Sequence, residues 1–347
     1  MEMTGTNNTQ VIFRNYVKGY PKETDFELIK SSLTSLILPP ESTAVLLKNL
    51  YLACDPYMRH RMSNQISNPG TLINSYTPGS VLVGYGVAKV VQSKHPDFQE
   101  GDFVWGLTGW EEYTIIHNPS SLNKIKNIDV PLSYYLGVLG IAGIAAYIGF
   151  VHLCSPKAGE TVYVSTASGG VGQLVGQFAK MMGCYVVGSV STEEKVDLAK
   201  TNFGYDHVFN YKEEDWGEDL KRYFPQGIDI YFDNVGGQML DEVLGHMRPH
   251  GKIAACGMIS QYNLDEPEGV KEMFSIITKR LEIKGYVETD FKHMYQEYIE
   301  LAVRYLKEGK LVYVEDVAEG LENACSALVG IFYGRNVGKQ LVRLADK

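Results

Sequence analysis

The sequence predicts an α/β protein of two domains, one β-rich and barrel-like, the other a doubly wound sheet of parallel strands. Three observations carry this. The chain has 347 residues, more than a single hydrophobic core usually serves, and 45% of them are apolar with 13 Phe and 23 Tyr, enough for two cores. Up to about residue 130, short apolar runs such as Val45 to Leu47, Val81 to Val91 and Phe103 to Leu107 are broken by Gly, Pro and Asp. From Pro131 to about Tyr305 strand and helix patterns alternate, as parallel strands with helical crossovers require. Short strand patterns return at Tyr313 to Val314 and Gln340 to Leu344. The expected domain limits are 1–130 with 308–347 for the β-rich part and 131–307 for the doubly wound part.

The start, M-E-M-T-G-T-N-N-T-Q, is polar and lacks the basic and apolar stretches of an export signal. Cys54, Cys154, Cys184, Cys256 and Cys325 are scattered, with no C-x-x-C pair, which reads as reduced thiols in a cytoplasmic protein. A net charge of −9 without any basic block argues against nucleic acid or an anionic membrane as partner and for a small ligand. The uncharged stretch from Ser133 to Ser155 is long enough to span a bilayer. Its glycines, His152 and the absence of flanking basic clusters favour a buried helix at a domain junction instead.

Next comes T-V-Y-V-S-T-A-S-G-G-V-G-Q-L-V-G-Q-F-A-K-M-M-G-C-Y-V-V-G-S-V-S-T-E-E-K, from Thr161 to Lys195. Val162 and Val164 mark a strand, Leu174, Val175, Phe178 and Met181 repeat at helical spacing, and Gly183 ends the helix. Between strand and helix lies Ala167-x-Gly169-x-x-Gly172, an imperfect G-x-G-x-x-G. Glycines there let Ser168, Gly169, Gly170, Val171 and Gly172 approach a pyrophosphate, which the helix N-terminus also attracts, so the segment reads as a dinucleotide cradle. The next strand ends in Gly188-Ser189-Val190-Ser191, with no carboxylate to hold a free ribose 2′-hydroxyl. Ser191-x-x-Glu194 has capping-box spacing, which assigns Glu194 to the helix backbone, and Lys195 is placed to pair with a 2′-phosphate. Its alternative is a solvated helix lysine. The cofactor expected is NADP(H), and oxidoreduction the chemistry.

A β-rich domain before a nucleotide-binding domain resembles the medium-chain dehydrogenase/reductase superfamily, which implies a GroES-like barrel plus a Rossmann domain. Its alcohol dehydrogenases bind zinc through Cys and His, with a G-H-E segment and often a lobe of four cysteines. None of these occurs; Cys54-Asp55-Pro56-Tyr57-Met58-Arg59 stands where a zinc ligand would be expected, which implies a zinc-independent branch. N-Y-V-K-G-Y-P-K-E-T-D, L-x-C-D-P-Y-M-R, G-W-E-E-Y, Y-F-D-N-V-G-G, C-G-M-I-S-Q-Y-N, Y-V-E-D-V-A-E-G-L-E-N-A and G-R-N-V-G-K-Q together resemble the plant NADPH-dependent alkenal double-bond reductases. These are similar to the leukotriene hydroxydehydrogenase/prostaglandin reductase enzymes and include pulegone reductase-like proteins.

The resemblance implies reduction of the carbon–carbon double bond of an α,β-unsaturated aldehyde or ketone, with hydride reaching the β-carbon and negative charge gathering on the carbonyl oxygen as an enolate. Tyr262, after the strand K-I-A-A-C, and Tyr57, in C-D-P-Y-M-R, are the catalytic candidates, as neutral phenols that donate to that oxygen. Their ordinary alternative is ring packing with surface hydroxyls. Carried over to the cofactor are Lys195 and Tyr211 at the 2′-phosphate, Asn234 and Asn336 on the ribose or nicotinamide side, and Pro56, Gly188, Cys256, Tyr286 and Val287. Asn336 has a competing reading as a turn residue, and Asp55 and Arg59 read as structural. A homodimer is implied by the resemblance.

The chain departs from that pattern in two places. Gly140-Ile141-Ala142-Gly143-Ile144-Ala145-Ala146-Tyr147 replaces the usual G-M-P-G-M-T-A-Y, losing a proline and a threonine near the expected nicotinamide pocket. Glu288-Thr289 replaces apolar or small residues and would disfavour acidic substrates. A zinc-free quinone reductase and a non-catalytic nucleotide-binding protein remain open beside the enone reductase.

Overall fold

The computed structural model describes residues 7–32, 38, 41–64, 74–213 and 215–345, and the chain divides into two compact units. The first comprises Met1–Leu136, Asp316–Asn336 and Gln340–Lys347; the second, Gly137–Glu315 and Val337–Lys339.

In the first unit β1 (Asn7–Phe13) pairs antiparallel with β2 (Phe26–Ser32), setting Phe13 opposite Phe26. Five further strands follow: β3 (Val45–Ala53), β4 (Val83–Ser93), β5 (Phe103–Gly109), β6 (Tyr113–Ile116) and β7 (Asn123–Lys124). Alternation places Val45, Leu47, Ala88, Val90 and Val104 in one buried cluster with Phe98 and Leu122. Leu46 turns the other way, onto Leu38 and Ala44. Burial of both faces of β3 explains the apolar run Val45–Leu47 at its start. Between β3 and β4 lies the single-turn helix α1 (Met58–Arg61). The buried Arg59 guanidinium anchors it, donating to the carbonyls of Val17 (3.3 Å) and Gly19 (2.9 Å) and to Ser63 Oγ (2.7 Å).

In the second unit the uncharged stretch is not one helix. A 3-10 turn at Leu132–Leu136 belongs to the first unit; then come α2 (Ile141–Ala146) and a π-helix at Tyr147–Cys154, ended by Ser155 at φ 47°. No helix among the described residues is long and apolar enough to cross a membrane.

Six parallel strands then alternate with helices: β8 (Thr161–Ser165), α3 (Gly172–Met181), β9 (Tyr185–Val190), α4 (Glu193–Phe203), β10 (His207–Asn210), α5 (Trp216–Tyr223), β11 (Ile228–Asp233), α6 (Gly237–His246), β12 (Met247–Ala255), α7 (Phe274–Lys279) and β13 (Glu282–Gly285). Their order in the sheet is β10-β9-β8-β11-β12-β13. One face is an aromatic core, with Tyr163 stacked on Tyr231 (5.1 Å between centroids) and on Phe209 (6.0 Å), covered by Leu240, Val243 and Leu244 of α6. The Tyr163 hydroxyl, buried there, donates to Ser189 Oγ at 2.8 Å, so the stack leaves it satisfied.

After α8 (Tyr295–Lys307) the segment 308–315 stays with the second unit, not with the β-rich part as expected from sequence. Its Val312 and Val314 belong to no strand, although Val314 O accepts from the Lys339 amide at 3.0 Å. Gln177 and Gln173, one turn apart on α3, serve as their partner: each side-chain oxygen accepts the Val312 or Val314 amide at 2.8 Å, and each side-chain nitrogen donates to the same residue's carbonyl. The chain then forms β14 (Glu315–Glu319), α9 (Ala324–Phe332) and β15 (Lys339–Arg343), giving a seven-stranded sheet in the order β14-β15-β3-β4-β5-β7 with β6 on β3.

Candidate active site

The sheet order reverses between β8 and β11, and in such sheets the crevice outside the carboxyl ends at the reversal receives ligands. The chain there is built for close approach. Thr166, the first residue after β8, is left-handed at φ 52°. A Cβ on Gly172 would lie 2.2 Å from Thr166 O, so only glycine lets the helix start this close to the turn. Ala167 stands where the motif expects a first glycine, and the missing space comes from the neighbouring strand: a Cβ on Gly188 would lie 2.5 Å from Ala167 Cβ. The glycine requirement has moved one strand across. No side chain caps α3, which leaves its N-terminal end and positive dipole open to an anion; the Gln173 and Leu174 amides already bond Gly169 O and Val171 O.

At the end of β9 the structure corrects the expected cap. Thr192 is the N-cap of α4, its hydroxyl accepting from the Lys195 amide, and Glu193 and Glu194 are exposed. The capping box assigned to Ser191 and Glu194 fails because the helix begins one residue later than that spacing assumed. Ser191 instead accepts from Lys195 Nζ at 3.2 Å, and Lys195 is only 6% exposed, unlike a solvated helix lysine. Tyr211, just after β10, donates its amide to Val190 O at 3.0 Å, which sets it beside the same strand end.

The ends of β8 and β11 are clasped together. Asn234 donates its amide to Ser165 Oγ (2.9 Å) and its side-chain nitrogen to Ser165 O (2.8 Å). Asp233 Oδ1 accepts from the Val235 and Gly236 amides and the Tyr231 hydroxyl, shaping the turn in which Gly236 and Gly237 take positive φ. Burial raises the Asp233 carboxyl above the usual carboxylate range, and its Oδ2 is buried with no partner in the protein. Ser165 and Asp233 were missed by sequence reasoning. The signal for Asp233 was present, since D-N-V-G-G is a side-chain-bonded turn before flexible glycines.

Beyond β12, Tyr262 Oη accepts from the Met258 amide at 3.0 Å, and Tyr262 is raised by burial, so the phenol stays protonated. An accepted bond on the oxygen polarises the O–H and strengthens it as a donor. Cys256 has its thiol pushed up to about 12 by burial, and the Tyr286 hydroxyl donates to Ala145 O at 2.7 Å. Val287 is exposed. The second unit thus gathers the glycine turn, Gly188, Lys195, Tyr211, Asn234, Cys256, Tyr262 and Tyr286 at the carboxyl edge of one sheet.

In the first unit Tyr57 follows Pro56 at the start of α1, its ring edge-on to Tyr85 at 6.2 Å, and Tyr85 6.1 Å from Trp105. Among the described residues the buried Tyr57 hydroxyl has no hydrogen-bond partner, and burial, with Asp55 nearby, holds it well above the usual phenol range. A buried donor without an acceptor is costly, and a ligand oxygen would satisfy it. Asn336 lies in the turn after α9, where the Arg335 amide closes back on Gly330 O at 3.1 Å.

Known proteins resemble this chain along nearly its whole length. The family model described as "Zinc-binding dehydrogenase" matches residues 170–304, and "N-terminal domain of oxidoreductase" matches 9–125. Among the described residues no three His, Cys, Asp or Glu side chains come together to hold a metal ion, so the donor set does not fit the zinc in that description. The chain is 59% identical to a 2-alkenal reductase (NADP(+)-dependent) of Nicotiana tabacum over 98% of each chain. It is 52% identical to (+)-pulegone reductase of Mentha piperita over 97% of this chain and 98% of that one. The crystal structure of CurA from Vibrio vulnificus in complex with NADPH superposes with a TM-score of 0.89 at 35% identity, covering 98% of this chain and all of the other.

Proposed function

Since the chain belongs to the NADPH-dependent alkenal and enone double-bond reductases of the medium-chain dehydrogenase/reductase family, we propose that Tyr57 and Tyr262 are the hydroxyls that receive the charge its reaction creates. The protein reduces the carbon–carbon double bond of α,β-unsaturated aldehydes and ketones, with NADP(H) as cofactor. This reading is carried by identity over nearly the full chain to two such reductases.

NADPH, when bound, supplies the hydride that the β-carbon of the substrate receives. The residues present fit that cofactor. The uncapped α3 and the turn Ser168–Gly172 would take its pyrophosphate. Lys195, buried against Ser191 and beside Tyr211, would take the 2′-phosphate where an NAD-selective protein keeps a carboxylate. Gly188 serves by making room for Ala167. Asn234, Asn336, Cys256 and the backbone at Tyr286 and Val287 would face the ribose or nicotinamide side, and Pro56 would also touch the cofactor. A phenol lowers the barrier by donating to the substrate's carbonyl oxygen as it becomes an enolate, and the α-carbon then takes a proton from solvent or a nearby donor. Neither phenol ionises near neutrality, so each acts as a standing donor.

We further propose a homodimer in the cytoplasm. The edge strand β13 is exposed along its length, and Phe274 and Ile277 of α7 are each 70% exposed, a large apolar face for a lone chain. Its five cysteines are free, as a reducing compartment allows. Sedimentation of wild type and of Phe274→Glu with Ile277→Glu tests the dimer: a wild-type monomer, or an unaltered dimer in the variant, refutes this face.

The activity is tested by following NADPH and NADH oxidation with a linear alkenal, a phenylpropenal, a benzalacetone and pulegone, identifying products by mass and NMR. Saturated carbonyls formed preferentially with NADPH are expected. Allylic alcohols, turnover of quinones alone, or tight NADPH binding without turnover would overturn the reading.

A further inference from the structure

The segment Gly137–Ala146, where this chain departs most from the resembled pattern, is held by three phenols. Tyr298 donates to Val138 O at 2.6 Å, Tyr295 to Leu139 O at 2.5 Å and Tyr286 to Ala145 O at 2.7 Å. Tyr295 and Tyr298 lie one turn apart on α8, so one helix face presents both hydroxyls. Glycines make the room: a Cβ on Gly143 would lie 2.2 Å from Tyr298 Oη, and one on Gly149 would lie 2.2 Å from Tyr286 Oη.

Tyr286 also sits at a strand end. It follows Gly285, which pairs with Ala255 at the end of β12, so its bond to Ala145 O ties α2 to the strand that leads into the loop carrying Tyr262. Burial raises Tyr286 and Tyr298, which keeps both as donors. A proline in this segment would have fixed the backbone locally; here three tertiary hydrogen bonds do so.

We propose that Tyr286, Tyr295 and Tyr298 are positioning residues for the reduction. They hold α2 at a set distance from the Tyr262 loop and thereby fix where the substrate alkene rests relative to the Tyr262 hydroxyl. This rests on the enone-reductase reading. Loss of one phenol leaves the cofactor cradle at β8 and β9 untouched and loosens only the seat of the alkene.

The test uses the full chain with Tyr286→Phe, Tyr295→Phe and Tyr298→Phe. Tyr135→Phe serves as control, since its hydroxyl bonds the Asn127 carbonyl at 3.3 Å in the other unit. For each, kcat, KM for NADPH and the primary isotope effect with deuterated NADPH are measured per mole of folded protein. The phenol variants should lose about 10- to 100-fold in kcat with KM for NADPH nearly constant, and the isotope effect on kcat should rise as hydride transfer becomes limiting. Tyr135→Phe should change Tm alone. Unchanged kcat and isotope effect in the phenol variants, with only Tm lowered, would overturn the proposal. Should one phenol variant not fold, the other two carry the test, and an unchanged isotope effect in both overturns the proposal. Wild type run alongside separates the two ideas: no saturated product from it removes the premise as well, whereas a productive wild type with indifferent variants sinks the positioning role alone.

Discussion

Replacing Lys195 by methionine keeps the apolar stem and removes the charge. The cation is 6% exposed and already hydrogen-bonded to Ser191, so a phosphate meeting it is little screened by water. Two unit charges about 4 Å apart at an effective dielectric of about 20 attract by about 4 kcal/mol, which is a ceiling before desolvation. The net value of a hydrogen bond to a charged group is about 1.5–3 kcal/mol, equivalent to about 10- to 150-fold in affinity. Lys195→Met should therefore lower kcat/KM for NADPH by that factor and leave NADH, which has no 2′-phosphate, unchanged. The α4 cap survives because Thr192 bonds the backbone amide of residue 195 and not its side chain. Steady-state kinetics with both cofactors under matched conditions is the assay. Equal losses for both would mean that Lys195 only supports α4, and no loss for NADPH would place the phosphate elsewhere; either outcome refutes the reasoning.

Tyr57→Phe and Tyr262→Phe should each cost about 100- to 1,000-fold in kcat while NADPH affinity, read by fluorescence titration, is retained; unchanged turnover on every substrate would remove the assigned role. Gly188→Ala forces a Cβ to 2.5 Å from Ala167 Cβ and should cost about 1–3 kcal/mol of stability by urea unfolding, whereas Ala167→Gly should cost at most about 1 kcal/mol. Equal effects of the two would refute the shifted glycine requirement. Tyr57, Tyr205, Tyr231 and Tyr286 all lie well above the usual phenol value of 10.0, so the folded chain keeps protons that the unfolded chain releases. Stability is then full below pH 10 and falls above it by about 1.4 kcal/mol per pH unit for each such phenol, which a Tm series through pH 10 would show as a steep drop. Glu288 lies close enough to raise both Cys256 and Tyr286, so Glu288→Gln should improve kcat/KM for a carboxylate-bearing enone about 2- to 5-fold and leave a neutral enone unaffected.

The doubly wound sheet was legible because its signals are local: a β-branched run, a glycine turn, a helical repeat and a closing glycine. What the sequence hid depends on partners far along the chain. Ala167 looks like a defect until Gly188 is seen on the adjacent strand. Ser191 and Thr192 are both competent caps, and which one serves depends on how far β9 runs before the chain turns. The uncharged stretch signalled burial correctly, yet nothing in its composition announces the wider winding from Tyr147 to Cys154. Tyr57 and Tyr262 were singled out through their motifs; that one hydroxyl is buried without an acceptor among the described residues and the other is polarised by a backbone amide needed coordinates. Tyr286 was read as a cofactor contact, and nothing in the sequence signals that its hydroxyl donates to Ala145.

The two glutamines of α3 give Val312 and Val314 the hydrogen bonding of a sheet interior without a sheet. Their amides should therefore exchange slowly with solvent deuterium, and a protection map taken alone would draw a strand where none exists. Because the bonds are anchored on α3, protection there depends on the integrity of that helix. With the pyrophosphate seated at the α3 N-terminus as proposed, saturating the enzyme with nucleotide should slow exchange at both valines, far along the chain from the glycine turn.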